Sequence, residues 1–421
     1  MWLIHFLKTH NWNALAGYLL FVGMMAIGYY YNLTFVQFGL LDLGTRLVGM
    51  TREQVAVQMT FLAVITCAVA LTVGWVMMRR GWSQRFEIKL RLAFAVVLLQ
   101  TALTAAAPFI RSEASFFIWI VVASLALGVG VPATFGMTVD LIPVGDRGLA
   151  AALITAGAYF PAAVFSGVWT IETLSAQMLL VMAPGAVALG LLAFGPWSLT
   201  ASLTRSLAQQ HRETAFGMGR FVRVSPTGKT HVSRYLLGLI LLMFAIYFID
   251  SLGFLRLADT PFFFEVAWQS PDLAPRLLIG LTHIAGALIA GALYTAMGER
   301  QLFLWIFGLF AMVHLLGIGT SLGMPILYAL AVSLYTVVNF AIWADISTPH
   351  TITRNTAAGV ALSGWAATFL STALSLQLAE MGVTLETHLQ LVDAVAMLFF
   401  LLVLALLYFN PSQQEQALTE T

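Results

Sequence analysis

The run Gln301–Ala344, QLFLWIFGLFAMVHLLGIGTSLGMPILYALAVSLYTVVNFAIWA, carries no formal charge. A membrane helix needs about 20 mostly apolar residues, so this run is too long for one crossing. Gly319-Thr-Ser-Leu-Gly-Met-Pro325 breaks it, because Gly and Pro mark turns. Two spans follow, near 302–319 and 325–347. Reading outward in both directions adds ten more, near 13–38, 54–77, 92–110, 115–139, 148–171, 177–197, 235–257, 277–297, 356–379 and 391–409. These long runs are unlike the alternating ten-residue strands of an outer-membrane barrel. The expected fold is an all-α membrane protein with twelve transmembrane helices. The first span lacks a basic leading region and a small-residue cleavage site, so it reads as a retained helix.

Composition supports this. Of 421 residues, 60% are hydrophobic and 9% charged. Soluble domains carry about 25% charged residues, which they need to cover their surface. A soluble enzyme and a nucleic-acid binder are therefore excluded, and a net charge of +1 points to no polyanionic partner. Cys67 stands alone, which excludes an intramolecular disulfide and a multi-cysteine metal site. No phosphate-binding Gly-x-x-x-x-Gly-Lys-(Ser/Thr) loop and no His-Glu-x-x-His motif is present, and no cofactor is expected. With the N-terminus inside, 15 of the 20 Lys and Arg residues fall on the inner side. Cytoplasmic loops carry that excess. Both termini are expected in the cytoplasm, in a bacterial inner membrane.

The polar stretch 198–234 holds seven charges and divides the chain into residues 1–197 and 235–421, six spans each. It is expected to be a cytoplasmic linker, with a short cytoplasmic tail at the C-terminus. The two halves repeat one another. Tyr18-Leu-Leu returns as Tyr235-Leu-Leu, an offset of 217, and the pair Gly74 and Gly81 returns as Gly291 and Gly298 at the same offset. The exits of spans 4 and 10 also match, with Asp140 and Arg147 answered by Asp345 and Arg354. Parallel six-helix repeats related by an axis along the membrane normal are a transporter plan.

On these residues the chain resembles the major facilitator superfamily. Its Gly-x-x-x-Asp-(Arg/Lys)-x-Gly-(Arg/Lys)-(Arg/Lys) signature after span 2 is met here by Gly74, Arg79 and Gly81, with Met78, Trp82 and Ser83 at other charged positions. The second copy keeps Gly291, Gly298 and Arg300. The resemblance implies two bundles that rock about a shared site, latched at the cytoplasmic face by these residues. Asp140, Arg147, Asp345 and Arg354 sit near that face, either as a replacement latch or as residues that satisfy helix ends. Spans 4 and 5 depart from the family's antiporter motifs, with Ser124 where an arginine is usual and no Gly before Pro161.

Ionisable residues within a bilayer are costly and usually functional. Asp250, about fifteen residues into span 7, is the sharpest. A carboxyl group at that depth can load and release a proton. The alternative is a static pair with Arg256 or Arg276. Tyr247 and Phe254, at i−3 and i+4, share its face. In span 1, Tyr29, Asn32 and Phe35 lie at i, i+3 and i+6 and form a second aromatic wall. His283, Asn339 and Trp343 fall on spans that line the cavity in the resembled family, and Tyr159, Trp169 and Trp365 either line it or pack. The expectation is a proton-coupled carrier, not an enzyme, moving a small, partly apolar organic solute by alternating access. It would act as a monomer, with solute, protons and lipid as partners. The alternatives are an uncoupled carrier of lipid-like solutes and a transporter-like binding or assembly protein.

Overall fold

The computed structural model describes residues 2–165, 169–195, 216–217, 219–222, 233–258, 270–296, 299–318 and 323–409. A short helix, α1 (Trp2–Lys8), precedes twelve long ones. These are α2 (Trp12–Val48), α3 (Arg52–Arg79), α4 (Phe86–Phe109), α5 (Glu113–Leu141), α6 (Arg147–Val164) and α7 (Ile171–Phe194), then α8 (Ser233–Ala258), α9 (Leu273–Ala296), α10 (Glu299–Ile318), α11 (Gly323–Asp345), α12 (Ile352–Glu380) and α13 (Leu385–Phe409). Among the described residues, eleven are long and apolar enough to cross a membrane. The twelfth, α10, has 20 residues, and its apolar described part is Gln301–Leu316. At 1.5 Å per residue, 20 residues still reach about 30 Å, the thickness of a hydrocarbon core.

Local chemistry sets the ends. Thr51 and Gln54 form a reciprocal capping box that starts α3, and Ser112 with Ser115 does the same for α5. Gly49, at φ +82°, stops α2, since only Gly adopts that conformation without strain. Two helices differ from expectation. The first runs ten residues past 38, because its outer part winds into wider π-type turns at Asn32–Gly39 and Leu43–Val48 and does not break. The sixth begins at Ile171 and not near 177, because Thr170 caps it, so Glu172 sits in its first turn. Glu172 and Asp42 there bind Arg46.

Helices α2–α7 form one bundle and α8–α13 the other, and their packing repeats pair for pair. Within the first, α3 packs on α5, α4 on α7, α4 on α5 and α2 on α6. Within the second, α9 packs on α11, α10 on α13, α10 on α11 and α8 on α12. Each pair is the other moved six helices along the chain. The contacts between bundles obey the same symmetry: α6 meets α9 as α3 meets α12, and α6 meets α11 as α5 meets α12. The repeat glimpsed in isolated residues is therefore a repeat of tertiary packing.

The bundles meet through small residues, which let helix backbones approach closely where lipid offers no hydrophobic drive. A Cβ on Gly148 of α6 would lie 2.6 Å from the Gly291 carbonyl oxygen of α9, and one on Gly291 would lie 2.6 Å from the Gly148 oxygen. A Cβ on Gly74 of α3 would meet the Thr353 carbonyl of α12 at 2.6 Å. Gly291→Val is expected to wedge α6 from α9. The measured result should be a melting temperature lowered by several degrees, overpacking of this kind costing about 1–3 kcal/mol.

Candidate functional site

Asp250 of α8 is half-buried. Its Oδ2 accepts from the Tyr335 hydroxyl at 2.7 Å, and its Oδ1 accepts from Tyr328. Both tyrosines belong to α11, seven residues and two turns apart, so they share one face. Tyr247 and Phe254, one turn either side of Asp250 on α8, pack on the same pair. The Tyr247 ring meets Tyr335 edge-on at 5.0 Å, and Phe254 stacks on Tyr328 at 5.6 Å.

The first bundle completes the cluster. Tyr29 of α2 and Tyr159 of α6 place their hydroxyls 3.2 Å apart, and Tyr159 reaches the Thr336 hydroxyl of α11 at 3.5 Å. Its ring stacks on His283 of α9 at 4.4 Å, and His283 Nδ1 meets the Ser333 hydroxyl at 2.9 Å. Below, Tyr29 stands edge-on to Phe340, which stacks on Phe135 of α5. Above, Phe38 approaches Phe254 and packs on Trp169. Hydroxyls, one imidazole and one carboxylate thus lie between two aromatic layers, and five helices from both bundles supply them. Asp250 is the one carboxylate or guanidinium among the described residues of this cluster.

Neither arginine offered as its partner reaches it. Arg256 donates to the Val383 carbonyl, and Arg276 donates to those of Val164 and Asp272. Other sequence candidates lie elsewhere. Phe35 is fully buried within the first bundle, stacked on Tyr31 and tilted against Trp119. The π-type turns beginning at Asn32 take it off the Tyr29 face, since i, i+3, i+6 alignment holds for an α-helix only. Asn32 donates to the Gly28 carbonyl of its own helix. Trp343 donates to Asn339, and both are buried on α11, with Trp343 packed against Gly359. Trp365 stacks on Phe369. Sequence reasoning missed Tyr328, Tyr335, Ser333 and Thr336. The available signal was two tyrosines seven apart in a charge-free span.

A second polar cluster lies on the face that also carries residues 216–217 and 219–222, here termed the linker face. Arg147 of α6 donates to Asp345 of α11 at 2.6 Å across the bundles, with both side chains buried. Tyr294 donates to the other Asp345 oxygen at 2.7 Å, and Arg220 stands 3.8 Å from it. The linker segment docks here: Arg147 also donates to the Phe216 carbonyl, Gly219 N–H to that of Ser347, and Phe221 N–H to that of Asp345. Asp140 pairs with the buried Lys89 inside the first bundle. Arg354 bonds its neighbour Asn355, and Arg79 is exposed over the Trp75 ring. Gly74 accepts from Thr353 across the interface, and Gly81 adopts φ +68° after α3. Gly298, the side chain of Arg300 and most of 198–234 lie outside the described residues. The sequence also gave no role to Asp146, whose carboxylate accepts the Trp2 and Leu3 N–H groups and so caps α1.

No protein-family model matches the chain, and no curated protein matches it. Solved structures do. One, described as the major facilitator superfamily proton:xylose symporter XylE bound to 6-bromo-6-deoxy-D-glucose, aligns with TM-score 0.59 at 12% identity, over 96% of this chain and 97% of that one. Another, the human organic anion transporter MFSD10 (TETRAN), aligns with TM-score 0.60 at 16% identity, over 93% and 99%. With twelve helices in two six-helix repeats and end-to-end alignment to both, this chain has the fold of the major facilitator superfamily.

Proposed function

We propose that the protein is a proton-coupled secondary carrier of a small, partly apolar organic solute, working by alternating access about the Asp250 cluster. The observation that carries this reading is the place of Asp250: a carboxylate, held by two tyrosine hydroxyls, in a cluster of aromatic and hydroxyl side chains to which both bundles contribute. A carboxylate at membrane depth is costly to keep charged, so protonation and solute binding are naturally linked there. Rocking one bundle against the other changes which side that cluster faces. The fold shared with the symporter and the organic anion transporter supports the same reading.

The Arg147–Asp345–Tyr294 cluster, with residues 216–217 and 219–222 upon it, serves in this proposal as the gate at the linker face, and that face is cytoplasmic. Residues 1–197 and 235–421 are the two rocking units. Neither coupling nor gating calls on a metal or cofactor.

The test is solute-driven proton movement. Purified protein in liposomes loaded with a pH-sensitive dye is challenged with a panel of sugars, organic acids, amines and amphiphiles. At least one compound should move protons in the presence of the protein and leave empty liposomes unchanged. A panel that yields solute flux without proton movement would leave an uncoupled carrier. Stabilising binding without any flux would leave a binding protein.

A further inference from the structure

Resting on the carrier reading above, we propose that the solute is a monovalent organic cation with a compact aromatic or alkyl body, and that it and the proton occupy the Asp250 carboxylate in turn. The two are then exchanged one for one.

The argument starts from charge. A carboxylate away from bulk water must be neutralised by a proton or by a cation. Among the described residues no lysine or arginine pairs with Asp250, and Arg256 and Arg276 donate to backbone carbonyls elsewhere. Any counter-charge therefore arrives from outside the protein. The surroundings suit an organic ammonium better than other solutes. Rings of Tyr247, Phe254, Tyr328 and Tyr335 pack around the carboxylate, and a cation over an aromatic face is attracted by the ring quadrupole. An anion would find the carboxylate repelling it. A polyhydroxy solute needs amide groups that read several hydroxyls, and among the described residues the groups that hydrogen-bond Asp250 are tyrosine hydroxyls, not amides.

Exchange follows from the site being single. The carboxylate releases the cation when it binds a proton, forming one O–H bond as one ion pair is lost, and the reverse step returns the proton to water. Other titratable groups around α8 are Tyr247 on the helix itself, Tyr328 and Tyr335 from α11, Tyr29 from α2 and Tyr159 from α6. His283 of α9 stacks on Tyr159. His314 of α10 touches Gly253, and His388 of α13 meets the Leu252 carbonyl. Arg256 lies one turn and a half further on. Tyrosine hydroxyls keep their protons between pH 5.5 and 8.5, given an ordinary value near 10, so the histidines are the groups to control for.

The probes are benzyltrimethylammonium, which cannot lose its charge, benzyl alcohol and benzoate. Adding benzyltrimethylammonium outside dye-loaded proteoliposomes should make the lumen more alkaline as protons leave. Its accumulation should reach about tenfold per unit of pH difference, the ratio one proton per cation permits. Because the exchange moves no net charge, a potassium diffusion potential of either sign should leave that ratio unchanged. In detergent the same compound should raise the melting temperature at pH 8.5 and lose this effect at pH 5.5 and in Asp250→Asn. Proton movement driven by benzoate or benzyl alcohol, and lost in Asp250→Asn, would overturn the cation while leaving the carrier reading intact. Cation accumulation that follows the imposed potential would overturn one-for-one exchange. A pH effect surviving in Asp250→Asn would pass the role to the histidines and overturn the proposal. Absence of any melting shift with benzyltrimethylammonium overturns the cation class alone, since the wider flux panel tests the carrier independently.

Discussion

Asp250→Asn is expected to abolish accumulation driven by a pH gradient. Asparagine keeps the size of the side chain and an oxygen that can accept from Tyr335 or Tyr328, so folding should be retained. What is lost is the group that changes charge. A gradient of one pH unit stores about 1.36 kcal/mol per proton, which supports about a tenfold solute ratio across the membrane. In the variant the ratio should fall to about one. The measurement is the steady-state solute ratio in proteoliposomes under an imposed pH gradient, with size-exclusion behaviour confirming that the variant is folded. Accumulation equal to the wild type would remove Asp250 from coupling.

The second large effect lies at the linker face. Arg147→Ala leaves the Asp345 carboxylate buried with Tyr294 as its remaining close donor and Arg220 at 3.8 Å. Breaking one side of a buried ion pair costs about 3–5 kcal/mol. The pair joins α6 to α11, across the bundles, so this cost falls on the arrangement in which that face is closed. At 1.4 kcal/mol per factor of ten, the balance moves toward opening by about two to three and a half orders of magnitude. The reporter is Thr155→Cys, fully buried on α6 between the ion pair and Tyr159, in a Cys67→Ala background. Its labelling by a membrane-impermeant maleimide should rise at least a hundredfold with Arg147→Ala. The double variant Arg147→Ala, Asp345→Ala removes the orphaned charge as well and should recover much of the protection. Slow labelling in the single variant would show that the pair does not hold the face closed.

Asp250 and Arg147 were legible to different degrees. Asp250 stands out in sequence because an acid deep within an apolar span has few ordinary reasons to be there. Arg147 could be placed at a helix exit, but its pairing with Asp345, and not with Asp140, could not. Asp140 is taken by Lys89, a residue that sequence reading counted only as one more inner-side charge. Tyr328 and Tyr335 were missed for the opposite reason: aromatic residues are common in membrane helices, and their seven-residue spacing does not by itself say that they donate to a carboxylate on another helix. Phe35 was misplaced because helical periodicity was assumed through Asn32–Gly39, where the backbone winds more widely.

The sequence by itself determined the number of long apolar helices, their order, and their duplication. These depend on run length, on Gly and Pro punctuation, and on the loss of free energy when polar backbone meets lipid, all of which are local. Only the tertiary structure decided which face each helix turns inward, which acid pairs with which base, and that Phe216, Gly219 and Phe221 dock at the Arg147–Asp345 pair. Those choices depend on close packing between segments far apart in the chain, such as Gly148 against Gly291, and no single stretch of residues contains that information.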